Sequence, residues 1–432
     1  MLIRFEVSNF RSIRDRVELS MVAIDRDRAA AREASMLGEH LLTVAGIYGP
    51  NASGKTNVLL AMKWLSDAIR DSMRMWDNEI PVECFAFDDA WSCPTEFIIE
   101  LLIDGVRFEY AIELDRKQIH YEGLFHYPEK KRRRIFERTG LDLTLQRGLG
   151  DLAGTRQLLT PRTSALAAAH RFDEPLVSGF ADALLAIQLK GTVQEAVPSL
   201  LGLFGAGQTN QWFDAEGSGS ASRNSGSHED FEKDRQRALE LLRLADLGIE
   251  DVVFTEESRL SASETEPDSW MIKLILPTRR PRLTHRTSTG PTPLEFTGES
   301  SGTRNWYQMI GPLLDTLRSG SILVLDEIDA SLHPTLSAQL LQLFHDPATN
   351  PLGAQLIFTT HDTNLLNHLN RDEVWFTEKA STGATRLGAL AEFAGERVRK
   401  SQNLETAYLH GRFGALPDID RADLLRALGL IA

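Results

Sequence analysis

The chain has 432 residues, 42 % of them hydrophobic and 25 % charged, and a formal net charge of −14, which excludes a small stapled scaffold and a chain disordered throughout. The acidic balance also excludes a protein that coats nucleic acid indiscriminately, because neutralising phosphates needs a basic surface; any such contact has to be local. Its two cysteines, Cys84 and Cys93, form no CxxC or Cys/His cluster, and no apolar run approaches the ~18 residues of a membrane span, so a reducing, cytoplasmic setting is expected.

In chain order, residues 2–8 alternate apolar Leu2, Ile3, Phe5 and Val7 with polar positions as a strand would, and a second short apolar run ends at Tyr48. From Lys55 the period changes: Val58, Met62, Leu65 and Ile69 fall on one face of a helix. Residues 95–136 return to period two, with Asp104-Gly105 as a hairpin turn, so an antiparallel β lobe is expected over 95–154. Residues 155–250 read as a mainly helical insertion, closing on a helix whose Leu239, Leu242 and Ala245 share a face before Gly248.

The Gly/Ser-rich run 217–227 is expected to be a mobile linker, and 259–269 and the Pro/Arg-rich 277–293 to be loops around a short strand at 271–277. Ile322 to Leu325 and Leu356 to Phe358 are continuous apolar runs, as in strands buried on both faces of a parallel sheet. Asp418, Asp420 and Asp423 read as caps of a last helix rather than metal ligands. The expected class is α/β, with an N-terminal part (1–94) and a C-terminal part (251–432) of one core separated by the two insertions.

Gly49-Pro50-Asn51-Ala52-Ser53-Gly54-Lys55-Thr56 is a complete GxxxxGK[ST] that follows a predicted strand and opens a predicted helix. In a phosphate-binding loop, glycines let backbone N–H groups close around phosphate, Lys55 neutralises its oxygens, and Thr56 offers a hydroxyl to Mg²⁺. A glycine-rich turn is the alternative. Asp326-Glu327 ends the apolar run 322–325; there Asp326 could serve a Mg²⁺ shell and Glu327 could deprotonate a water attacking a γ-phosphate, the alternative being a helix cap.

Gly49 and Asp326 are 277 positions apart, so an insertion must split the nucleotide core. That layout resembles the ABC ATPase heads of the SMC, RecF and OLD proteins. The resemblance places Ser300 and Gly302, within Glu299 to Thr303, at the phosphate-contacting positions of the ABC signature, although Ser300 alone would read as a helix cap. It also makes His361 the switch histidine. Departures are Glu299 and Thr303 in the signature, His333 at the usual D-loop aspartate, and no glutamine before Gln118 to serve as the Q-loop residue.

VSNFRSI (7–13), HYEGLF (120–125), LADLGIEDV (244–252) and the tail RKSQNLETAYLHGRFGALP (399–417) are similar to the ABC-type ATPases of bacterial abortive-infection and phage-defence operons, including RloA-like and PARIS-like systems. The resemblance implies an ABC-type head with a mixed β-sheet core, ATP and Mg²⁺ as ligands, and a homodimer or higher oligomer whose signatures act in trans. Since the recognisable chemistry is spent on ATP, a separately encoded toxic effector is expected.

The alternative is a RecF-like DNA-binding ATPase. An OLD-type nuclease is disfavoured, because only 71 residues follow His361 and a TOPRIM domain needs on the order of a hundred. The basic run Lys130 to Arg134 and Arg279, Arg280, Arg282 and Arg286 read as solvated tips or as weak nucleic-acid contacts.

Overall fold

The computed structural model describes residues 1–191, 202–214, 228–256, 279–330, 332–394 and 404–410. The chain divides into two compact units, Met1–Ile187 with Gln355–Ala432, and Gln188–Ala354. Both mix helices and strands, and the fold is α/β. Among the described residues no helix is long and apolar enough to cross a membrane.

The first unit opens with β1 (Leu2–Ser8) and β2 (Val17–Ser20), then a small hairpin, β3 (Ala31–Ala34) and β4 (Glu39–Leu42), and the fully buried β5 (Val44–Tyr48). Helix α1 (Lys55–Met75) buries Val58, Met62, Leu65 and Ile69, the face that the 3.6-residue period marks. Trp64 of α1 stacks on Phe97 at 4.6 Å between ring centres.

Strands β6 (Thr95–Ile103), β7 (Val106–Leu114), β8 (Ile119–His126), β9 (Arg133–Thr139) and β10 (Asp142–Leu145) form antiparallel hairpins. Asp104 and Gly105 both have positive φ, 49° and 77°, as a two-residue turn between right-twisted strands requires. These strands continue outward from β1, which pairs with β6, giving one seven-stranded sheet in the order β10-β9-β8-β7-β6-β1-β2. Helices α2 (Thr155–Leu158), α3 (Ala165–Ala169) and α4 (Pro175–Leu185) follow, with α3 and α4 against α1.

Glu122 of β8 fixes that packing. It is fully buried, and its carboxylate accepts hydrogen bonds from Ala165 N and Leu166 N at 2.7 and 2.8 Å and from Tyr110 Oη and Ser164 Oγ at 2.9 Å each. Arg138, also fully buried, lies 3.5 Å away and donates to the carbonyls of Gly140 and Thr160 at 2.6 and 2.7 Å and of Thr163 at 2.5 Å. Thus HYEGLF places a carboxylate at the N-terminus of α3, where orphan N–H groups need acceptors.

The second unit begins with β11 (Gln188–Gly191), followed by α5 (Gly202–Phe213), α6 (His228–Ala245), and a three-stranded sheet of β12 (Ile249–Glu256), β13 (Arg279–Thr287) and β14 (Gly290–Glu295). Ala238, Leu239 and Leu242 form the buried face of α6, whereas Ala245 is exposed.

The expected loop at 277–293 is instead mostly the β13–β14 hairpin. Its prolines mislead: Pro281 is in register with Phe254 of β12, one residue before β14 begins to pair at Arg282, and Pro291 and Pro293 lie on the edge strand β14, where a missing N–H is tolerated. The expected linker 217–227, the strand 271–277 and Asp418, Asp420 and Asp423 lie outside the described residues.

Helix α7 (Ser301–Ser319) contains Pro312, which leaves the Gln308 carbonyl without its helical donor. The buried Thr209 of α5 repairs the gap, its hydroxyl donating to Gln308 O at 3.3 Å and accepting from Gly311 N at 3.0 Å. Strand β15 (Ile322–Asp326) pairs in parallel with β11, and α8 (Pro334–His345) follows.

The chain then returns to the first unit with β16 (Gln355–Thr359), β17 (Val374–Lys379) and β18 (Thr385–Ala389). β5 lies in parallel between β16 and β17, and β17 and β18 form an antiparallel hairpin.

Candidate functional site

The loop 49–54 leaves β5 and enters α1. Gly54 holds φ of 101° and Ala52 of 61°, and Lys55 begins the helix. The helix has no side-chain cap and no acidic residue in its first turn. A lysine there opposes the helix's own dipole, while the N–H groups suit an anion; the arrangement is poor for an isolated helix and fits a phosphate. Lys55 is buried, with Nζ donating to Gly49 O at 2.9 Å and Pro50 O at 3.2 Å. Asn51 and Ala52 are exposed at the rim, Ser53 is buried beneath, and Thr56 is half-buried.

His361 joins this group. Thr359 of β16 pairs with Ile47, and Thr360 N donates to Ile47 O at 3.2 Å, so the chain beyond β16 emerges beside the loop. His361 Nε2 lies 3.0 Å from Lys55 Nζ. An ammonium only donates, so with Lys55 protonated Nε2 is the acceptor of this bond.

In the second unit, Asp326 is buried at the end of β15, and Glu327 is half-buried with φ of 53°. A non-glycine residue in the left-handed region is backbone strain of the kind that gathers at functional sites. The helix-cap alternative fails for this pair, because α8 starts at Pro334 and its cap is His333, whose Nδ1 accepts from Thr335 N at 3.3 Å. Gly191 is held tightly against the same strand, since a Cβ there would lie 2.1 Å from Asp326 O.

Ser300 is the N-cap of α7, accepting from Thr303 N at 3.0 Å, and Gly302 follows in the first turn. The capping role expected of Ser300 is therefore present, and its Oγ also lies 2.8 Å from Thr303 Oγ1, where either hydroxyl can donate. Glu299 is buried and bonded to His285 Nε2 at 2.8 Å. The first unit thus brings Lys55 and His361 together, while Ser300, Gly302, Asp326 and Glu327 belong to the second.

The basic residues are largely matched by acids. Arg132 pairs with Glu109 at 2.6 Å, Arg133 with Glu129 at 3.7 Å and Arg134 with Glu137 at 3.0 Å. Arg279 pairs with Asp214 and Arg286 with Glu250, both at 2.6 Å, and Arg282 with Glu295.

Sequence reasoning misses three residues at the loop. Thr377 Oγ1 bonds Ser53 Oγ at 2.6 Å, Thr385 Oγ1 donates to Ser53 O at 2.8 Å, and Ser12 Oγ bonds Thr385 Oγ1 at 2.7 Å. Ser12 lies within VSNFRSI, where Asn9 Nδ2 also donates to Ala90 O and Cys93 O at 2.9 and 2.7 Å. No spacing signal marks the threonines.

The family described as "AAA domain, putative AbiEii toxin, Type IV TA system" matches residues 44–165 and 206–367, more than half of the chain. No curated protein matches it. Among solved structures, an SmcHead bound to the C-winged helix domain of ScpA is 13% identical with a TM-score of 0.43, covering 90% of this chain and 97% of that one. The SMC head domain from Thermotoga maritima is 14% identical with a TM-score of 0.38, covering 90% and 98%.

Proposed function

We propose, given that this chain belongs to the AAA-domain family just described, that it is an ATP-hydrolysing ABC-type ATPase that dimerises around ATP and controls a separate toxic effector in anti-phage defence. The observation that carries the nucleotide reading is the uncapped start of α1, with buried Lys55 folded across a loop that has no room for a Cβ at Gly49 or Gly54.

On this reading Gly49 to Thr56 wrap the phosphates and Lys55 neutralises their oxygens. Thr56 and Asp326 would hold Mg²⁺, which when bound supplies further charge neutralisation. Glu327 takes the proton of the attacking water, and His361 exchanges its bond with Lys55 for one to the γ-phosphate. Ser300 and Gly302 of a second copy complete each site, the serine by O–H donation and the glycine by its N–H.

The defence role rests on the resemblance to RloA-like and PARIS-like systems and on a family description that names a toxin. The RecF-like alternative needs a basic surface, and the pairing of most arginines in the two basic runs gives it little.

The test is Glu327→Gln, which should retain MgATP binding and lose nearly all phosphate release, beside Lys55→Ala, which should lose binding. Hydrolysis near wild type in Glu327→Gln would remove the assignment. For the effector role, the chain is expressed alone and with its genomic neighbours; growth arrest by the chain alone would transfer the toxicity to it.

A further inference from the structure

We propose that Thr377 and Thr385, on the β17–β18 hairpin, are positioning residues that hold the loop 49–54 in its phosphate-receiving shape, an inference that rests on the nucleotide reading above. The register brings them there. β17 pairs in parallel with β5 as far as Phe376↔Tyr48, so Thr377 lies beside Gly49 as the chain leaves the sheet. On β18, Thr385 is opposite Lys379, two residues from Thr377, which puts both threonines on one face of the hairpin.

Each hydroxyl grips the loop at a different point. Thr377 Oγ1 lies 3.2 Å from Tyr48 O, to which it donates, and 2.6 Å from Ser53 Oγ, bridging the loop's two ends. Thr385 Oγ1 donates to Ser53 O at 2.8 Å and bonds Ser12 Oγ at 2.7 Å, which in turn accepts from Asn57 Nδ2 at 2.6 Å on α1. A second bond, Thr385 N to Ser12 O at 2.7 Å, fixes the hairpin to the VSNFRSI turn.

The approach is close enough to demand both glycines. A Cβ on Gly49 would lie 2.4 Å from Thr377 Oγ1, and one on Gly54 would lie 2.0 Å from Thr385 Oγ1. The loop's glycines are thus needed for the hairpin beneath as well as for phosphate above. Thr377 is fully buried and Thr385 nearly so, so water cannot replace either hydroxyl. A loop that makes several backbone contacts to one anion loses affinity when its shape is no longer held in advance.

The experiment compares Thr377→Val, Thr385→Val, the double variant and the two Thr→Ser variants with wild type, measuring MgATP binding by titration with a fluorescent ATP analogue and amide hydrogen exchange over residues 49–56. Each single valine should weaken binding by about 3- to 10-fold and the double by about 10- to 100-fold, from the loss of one or more buried hydrogen bonds per site. Each should also speed exchange in the loop without ligand, while the serine variants stay near wild type. If the double variant does not fold, the single variants decide. Valine variants that bind and exchange like wild type overturn the proposal, as do serine variants as impaired as the valines. A wild-type chain that binds no MgATP sinks the nucleotide reading, whereas exchange in the apo loop still reports whether the hairpin holds it.

Discussion

Glu122→Ala should be among the most destabilising single substitutions in the first unit, although Glu122 touches no candidate site residue. Its carboxylate serves two backbone N–H groups, a serine hydroxyl and a tyrosine hydroxyl, all buried, and faces a fully buried guanidinium 3.5 Å away. Burial first, and the Glu122 carboxylate second, push Tyr110 well above the usual phenol range, so this tyrosine remains a donor. Leaving a buried donor unsatisfied costs about 1–3 kcal/mol, and breaking a buried ion pair by removing one partner about 3–5 kcal/mol.

Arg138 keeps its three carbonyl acceptors, so the lower figure for the pair is appropriate, and with even one of the four donors left unsatisfied the total should be at least about 4 kcal/mol. Against a stability of about 5–15 kcal/mol, that is a large fraction. Glu122→Gln retains one acceptor oxygen but turns an amide donor toward the α3 N–H groups, and should cost about 1–3 kcal/mol. Urea unfolding followed by tryptophan fluorescence gives the loss, since Trp64 and Trp76 stack at 5.6 Å within this unit. Because Ser164 N also reaches Ser72 Oγ of α1 at 3.4 Å, nucleotide affinity should fall in step. A Glu122→Ala variant within about 1 kcal/mol of wild type would refute the reasoning, because four buried donors would then have found other acceptors.

Mixing Lys55→Ala chains with Ser300→Arg chains should restore partial ATPase activity, because one composite site per heterodimer keeps both halves; folded heterodimers with no activity would count against signatures acting in trans. Sequence-independent duplex binding should be undetectable at physiological salt, because most arginines of both basic runs are paired, and filter binding that survives Lys130→Glu with Lys131→Glu would contradict this. Stability should fall as pH drops below the ordinary histidine value of 6.5, because burial, helped by Arg133 and opposed by Glu174, lowers the pKa of His126. The unfolded chain then takes up the proton first, so this contribution is complete above that value and is lost on acidification; His126→Phe should flatten that part of the thermal midpoint against pH.

What the sequence makes legible is what chemistry or period dictates locally. Gly49, Gly54, Lys55 and Thr56 can be read because a phosphate needs those types at that spacing, and α1 because Val58, Met62, Leu65 and Ile69 keep one face. β13 cannot be read so, because Pro281 violates strand composition although it stands in register with Phe254 of β12. Thr377 and Thr385 carry no mark, since an ordinary threonine on an ordinary hairpin becomes important only through a pairing more than 300 residues away. Glu122 stands within a stretch noted for its resemblance alone, and its reason, an acceptor for a helix that begins 43 residues later, is tertiary.

The placement of β5 also sets an order of events during synthesis. The strand that launches the phosphate loop has no sheet neighbour of its own until β16 and β17 exist, as residues 355–379 are made. At about 5–20 residues per second a ribosome needs roughly 15–65 s to add the intervening chain. Throughout that interval five residues that end fully buried, Val44 to Tyr48, form an unpaired apolar edge. A nascent chain of this protein should therefore acquire affinity for nucleotide only after residues 355–379 have been made, so that a product stalled before them cannot compete for ATP with chains that contain them.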